Sequence, residues 1–140
     1  MPYWRLFYHA VWATKHRLPL IESIWEEDLY GYLWGKATAL ECIPHAIHGT
    51  ADHIHVVISI PPKLSIATTI GQLKGTSSHR VNEVFVSHHS FAWQAEYGIF
   101  SFSQRSLPRV VDYVRNQKQH HAENTIQLSI ESFGIVETNL

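Results

Sequence analysis

The chain is 140 residues long, 45% apolar and 16% charged, with a formal net charge of −1 and 11 histidines. This length and apolar content predict one core-forming domain over residues 1–140, with 122–140 as a C-terminal tail, and they exclude a disordered class. No stretch approaches the ~18 apolar residues of a membrane span. Met1-Pro2-Tyr3-Trp4-Arg5 lacks the basic-then-apolar layout of a signal peptide, and the single Cys42 excludes an internal disulfide, so a cytoplasmic protein with no membrane partner is expected.

Residues 4–14 are rich in aromatic and β-branched side chains and predict a first strand, closed by the polar break Lys15-His16-Arg17-Leu18-Pro19. Residues 22–40 carry Ile24, Trp25, Leu29, Tyr32, Leu33 and Lys36 at three- and four-residue steps, which predicts a helix. Glu26, Glu27 and Asp28 near its start suit the positive end of the helix dipole. Residues 43–50 predict a second strand, and Ala51-Asp52 a tight hairpin into a third over 52–60, which Pro61-Pro62 ends. Residues 65–85 predict a second helix capped by Ser65 and weakened at Gly71 and Gly75. Ser87-His88-His89-Ser90 reads as a loop. Residues 91–102 are strand-like with an interruption near Tyr97-Gly98, 106–121 predict a third helix, and the tail a short helix ending near Gly134. The order β-α-β-β-α-β-α predicts an α+β fold. It is the ferredoxin-like (RRM-like) antiparallel sheet with two helices on one face, plus an extra C-terminal helix.

The third strand carries the chemistry. In Asp52-His53-Ile54-His55-Val56-Val57-Ile58-Ser59-Ile60, alternation puts His53 and His55 on one face and Ile54, Val56, Ile58 and Ile60 on the other. The aliphatic face belongs under the two helices. Two imidazoles ~6–7 Å apart along a strand can converge on one divalent metal. The third helix is the natural cover for the histidine face. Leu107, Val110, Val111 and Val114 form its apolar stripe, with Tyr113 and Gln117 stacked beside it and His120 a turn later.

These residues resemble a known family. His53-Ile54-His55 looks like the histidine-hydrophobic-histidine motif of the HUH endonucleases. Tyr113-Val114-Arg115-Asn116-Gln117, followed by His120-His121, looks like the catalytic helix of the single-tyrosine insertion-sequence transposases, the TnpA-like (IS200-like) group. Leu73-Lys74-Gly75 with Ser77-Ser78, and Phe91-Ala92-Trp93-Gln94 with Tyr97-Gly98-Ile99-Phe100-Ser101, extend the likeness over most of residues 3–122. The resemblance implies an enzyme that cuts and rejoins single-stranded DNA at insertion-sequence ends through a 5′-phosphotyrosine. It implies Tyr113 as nucleophile and His53, His55 and Gln117 as ligands of a divalent metal, magnesium or manganese. It also implies DNA partners with terminal hairpins, and a homodimer whose active sites are shared between protomers. The chain has no GxxxxGK[ST] loop, in keeping with chemistry that needs no nucleotide.

Each residue also has a plainer reading. A lone His-x-His on a strand is more often structural, and Tyr113 alone reads as an amphipathic helix-edge residue. Asp52 reads equally as a ligand-orienting carboxylate and as a turn residue. His120 is kept as a further group around the metal, and also suits a helix C-terminus. His45, His48, His88 and His89 have no partner pattern and read as surface or loop. Trp4, Phe7, Tyr8 and Trp12 read mostly as core. DNA phosphates need clustered cations, for which Lys74, Arg80, Arg105, Arg109, Arg115 and Lys118 are the candidates, although each singly also reads as solvated helix surface. Two other functions fit the pattern. One is a domesticated relative or nickase with the same chemistry; the other is a non-catalytic nucleic-acid-binding module using aromatics on an open sheet face.

Overall fold

A computed structural model describes residues 3–86 and 90–118 of the chain. The sheet has four antiparallel strands, β1 (Phe7–Ala13), β2 (Ile43–Gly49), β3 (His53–Ser59) and β4 (Gly98–Phe102), in the order β2-β3-β1-β4. Helices α1 (Glu26–Ala39) and α2 (Ile66–Val84) are the two crossovers, and α3 (Leu107–Arg115) follows β4. This is the ferredoxin-like arrangement expected from the element order.

Strand alternation divides the core in two. Ala10 and Trp12 of β1 and Ile54, Val56 and Ile58 of β3 pack with Leu29, Leu33, Ile70 and Leu73 in one cluster under α1 and α2. Each such fully buried aliphatic contributes about 1.5–3 kcal/mol. The opposite face carries a smaller cluster, in which Val57 and Ala46 meet Val110, Tyr113 and Val114 of α3. β3 is therefore buried along its whole length on both faces. The face that a binding module would have to leave open lies under α3 over β2 and β3.

Ser65 caps α2 as expected, accepting from the Thr68 amide, and α2 runs unbroken through Gly71 and Gly75. Other boundaries differ. The helix expected from 22 starts at Glu26, because Trp25 (φ −126°, ψ 7°) is its cap; Ile24, placed on the apolar stripe by spacing, is 87% exposed. β1 starts at Phe7 rather than at residue 4. Within 91–102, Trp93 makes only an isolated bridge to Thr14 and continuous pairing begins at Gly98. The chain between them bulges away and leaves the carbonyls of Gln94, Ala95 and Glu96 outside the ladder, where Lys74 Nζ donates to all three at 2.6, 3.1 and 3.0 Å. A register shift between Pro44 and Ala46 marks a bulge in β2, where proline has no amide to give. The expected loop 87–90 falls mostly, and the tail and His120 entirely, outside the described residues. No helix among the described residues is long and apolar enough to cross a membrane.

Candidate metal and tyrosine site

His53 and His55 share a face of β3 with ring centroids 5.1 Å apart, and they are 4% and 0% exposed. A protein partner holds Nδ1 of each ring. His53 Nδ1 lies 2.8 Å from Asp52 Oδ1 and 3.0 Å from Thr50 Oγ1. A carboxylate only accepts, so the ring donates through Nδ1 and its lone pair is on Nε2. Arg17 Nη2 stands 3.6 Å from the same carboxylate oxygen. The hydrogen bond from His53, with Arg17 beside it, holds the Asp52 carboxyl below the usual carboxylate range despite partial burial. Asp52 is thus hydrogen-bonded to the histidine that follows it in sequence.

His55 Nδ1 lies 2.7 Å from Nε2 of His9. His9 sits on β1, opposite Val57, and shares the histidine face; it is fully buried, with an edge contact to Phe100 at 5.0 Å. Burial pushes its pKa down to about 3, so the ring is neutral. Sequence reasoning missed His9, Thr50 and Arg17. The signal for His9 was a lone polar residue at an alternating position of an otherwise apolar strand. His45 and His48, read as surface or loop, are half-buried members of β2. His45 Nε2 lies 2.8 Å from Ser59 Oγ, and His48 packs on Tyr30 at 5.3 Å.

Helix α3 brings the phenol to this face. Its buried side is Val110, Tyr113 and Val114, and the Tyr113 ring stands edge-on to His55 with centroids 6.3 Å apart. Tyr113 is 1% exposed and Gln117 is fully buried. Within the helix expected over 106–121, α3 runs to Arg115 and a turn at Asn116 (φ −106°, ψ 26°) interrupts it, the Asn116 side-chain amide donating to the Asp112 carbonyl at 2.8 Å. Gln117 and Lys118 are helical again, and 119–121 lie outside the described residues. Lys118 Nζ reaches Glu26 Oε2 at 2.7 Å and the Gly49 carbonyl at 3.3 Å, which ties the end of α3 to α1 and to the β2–β3 hairpin.

The remaining basic candidates do not form one patch. Lys74 and Arg80 belong to α2, on the far side of the sheet from the histidines. Lys74 staples the 94–96 carbonyls, and Arg80 lies over the Tyr32 ring at 5.1 Å. Lys118 is paired with Glu26. Arg105, Arg109 and Arg115 are exposed, and the latter two line the outer side of α3.

Among the described residues no three His, Cys, Asp or Glu side chains are gathered as a metal ion needs. His53 fits a ligand's role, since Asp52 takes its Nδ1 and leaves Nε2 to face a cation, while His55 meets another imidazole at Nδ1, a contact that either ring can donate to.

Residues 2–117 match the family described as "Transposase IS200 like". The transposase of insertion sequence IS200 from Salmonella typhimurium is 28% identical over 125 residues, covering 81% of this chain and 78% of that protein. The ISDra2 transposase TnpA of Deinococcus radiodurans is 25% identical over 124 residues, covering 81% of this chain and 85% of its own length. Two solved structures share the fold. A candidate transposase from Deinococcus radiodurans R1 has a TM-score of 0.67 at 24% identity, over 84% of this chain and 95% of that one. A REP-associated tyrosine transposase bound to a REP hairpin has a TM-score of 0.64 at 12% identity, over 86% and 74%. With the matched region spanning the histidine strand and reaching Gln117, the chain belongs to the IS200-like transposase family.

Proposed function

We propose that this transposase cuts and rejoins single-stranded DNA at hairpin-bearing ends through a 5′-phosphotyrosine on Tyr113. One observation carries the reading: a buried phenol packed against His55, 6.3 Å between ring centroids, on a helix and strand that both lie within the family match. The hairpin bound by the REP-associated relative supports hairpin DNA as the substrate class.

His53, His55 and Gln117 would hold magnesium or manganese, which when bound supplies positive charge to the scissile phosphate. All three donors are uncharged, so they leave that charge undiminished. Asp52 and Thr50 keep His53 oriented. The Tyr113 phenol oxygen attacks phosphorus, the bond from phosphorus to the 3′-oxygen breaks, and the phenol proton ends on the departing 3′-hydroxyl. Rejoining is the reverse, with a new 3′-hydroxyl as attacker and the proton returned to tyrosine. One phosphodiester replaces another at each step, so no nucleotide is consumed. A free phenol has a pKa near 10, so only about one in a thousand is ionised at neutral pH, and the departing proton needs a nearby cation or base to favour it.

A phosphate reaches a phenol that is 1% exposed only if α3 moves off the sheet. Nine residues make a helix that is marginal on its own, held by its buried stripe, and this suits such an opening. An α3 that lifts from its own sheet can settle on a second copy with the same contacts, which is the geometry of a homodimer with shared sites.

The test is to incubate the full chain with manganese and single-stranded DNA bearing hairpins and to run denaturing gels. A covalent protein–DNA adduct is expected from the wild type and none from Tyr113→Phe. An adduct that persists in Tyr113→Phe, or a wild type that leaves every hairpin substrate intact, overturns the reading.

A further inference from the structure

The two histidines of β3 are held by unlike partners. A carboxylate faces His53 Nδ1 and can only accept. The partner of His55 Nδ1 is another imidazole, Nε2 of His9, at 2.7 Å between two fully buried rings. One proton occupies that contact, and its owner decides what His55 can do. If His9 donates through Nε2, neutral His55 carries its proton on Nε2, and that nitrogen has no lone pair for a cation. If His55 donates through Nδ1, its Nε2 lone pair is available, and the proton of His9 moves to its own Nδ1. That atom is buried and has no partner among the described residues.

Resting on the metal reading of His53 and His55 above, we propose that His9 is a positioning residue that sets the tautomer of His55. Its Nε2 accepts a hydrogen bond from Nδ1–H of His55 and so opens the Nε2 lone pair of His55 to a divalent cation. The pair relocates two protons within a closed network: Nε2–H of His55 and Nε2–H of His9 become Nδ1–H of each. No proton is gained or lost overall. The edge contact with Phe100 and the fixed pairing of β1 with β3 hold the His9 ring where it can serve.

The test measures metal binding rather than cleavage. Manganese titrated into the purified full chain is followed by the loss of the free-ion electron paramagnetic resonance signal. His9→Phe keeps a ring and removes the acceptor, and its Kd should rise about 10–100-fold. His9→Gln offers a carbonyl oxygen to the same Nδ1–H and should recover to within a few-fold of wild type. A folded His9→Phe that binds manganese like wild type overturns the proposal, and so does a His9→Gln as weak as His9→Phe. Should His9→Phe not fold, nitrogen-15 spectra of the wild type saturated with magnesium decide: His55 protonated on Nδ1 supports the proposal, and His55 protonated on Nε2 overturns it. Failure of the metal reading itself looks different, because His53→Ala would then bind manganese as the wild type does.

Discussion

At the scale of single residues, the site depends on groups that folding keeps uncharged. Burial lowers the pKa of His9 to about 3 and depresses those of His45 and His48. The folded state therefore binds fewer protons than the unfolded chain below the ordinary histidine value of 6.5. The stability from these neutral rings is fully present above 6.5 and is lost as pH falls; for His9 the loss continues down to about 3. His9 alone contributes a slope of up to about 1.4 kcal/mol per pH unit. Asp52 acts lower, its contribution fading once pH drops from the ordinary 3.8 through its depressed folded value. Urea midpoints in the presence of a chelator should fall steadily from pH 7 to pH 5, and a flat profile over that range would contradict this account. Of the site residues, His53, His55, Asp52 and Tyr113 were legible because alternation and a turn of helix place them without tertiary information. His9 was not, because its meaning comes from the register of β1 against β3, and no local pattern encodes a pairing 46 residues away.

At the scale of elements, the hairpin between β2 and β3 aims the first histidine. A Cβ on Gly49 would stand 2.2 Å from the His53 carbonyl oxygen and 2.9 Å from Ile54 Cα, backbone atoms that cannot rotate aside. Gly49→Ala should therefore spread the strands and cost about 3 kcal/mol, the upper end for overpacking. It should also displace the carbonyl that Lys118 uses. Thermal unfolding checks this, and an unchanged midpoint would refute the close approach. Period-2 and period-3.6 patterns gave the strands and helices in their right order. Their ends were harder to read. Ile24 fits the helical spacing yet projects into solvent before the first turn, and a turn at Asn116 interrupts the helical run between Arg115 and Gln117. The carbonyls of 94–96 are bound by Lys74, a residue 20 or more positions away whose charge suggested DNA instead.

At the scale of the whole molecule, the question is which copy's α3 serves which sheet. In the single chain α3 docks on its own sheet, with Lys118 fastening its end to Glu26. If working copies exchange that helix, an inactive His53→Ala chain mixed with an inactive Tyr113→Phe chain should regain cleavage, up to about a quarter to a half of wild type. Absence of any rescue would mean that each chain works with its own tyrosine. The near-neutral net charge belongs to this scale too. The exposed arginines 109 and 115 lie on the outer side of the helix whose inner side carries Tyr113, so positive charge and phenol share one element.

The bulge beside Pro44 bears on how these molecules meet one another. β2 forms one border of the sheet, and there a missing amide and a slipped register spoil the regular row of donors and acceptors that a foreign ribbon would need. A copy approaching along β2 therefore meets no unbroken ladder to extend. Along that border, contact with a second copy falls to side chains, which can be made selective and finite.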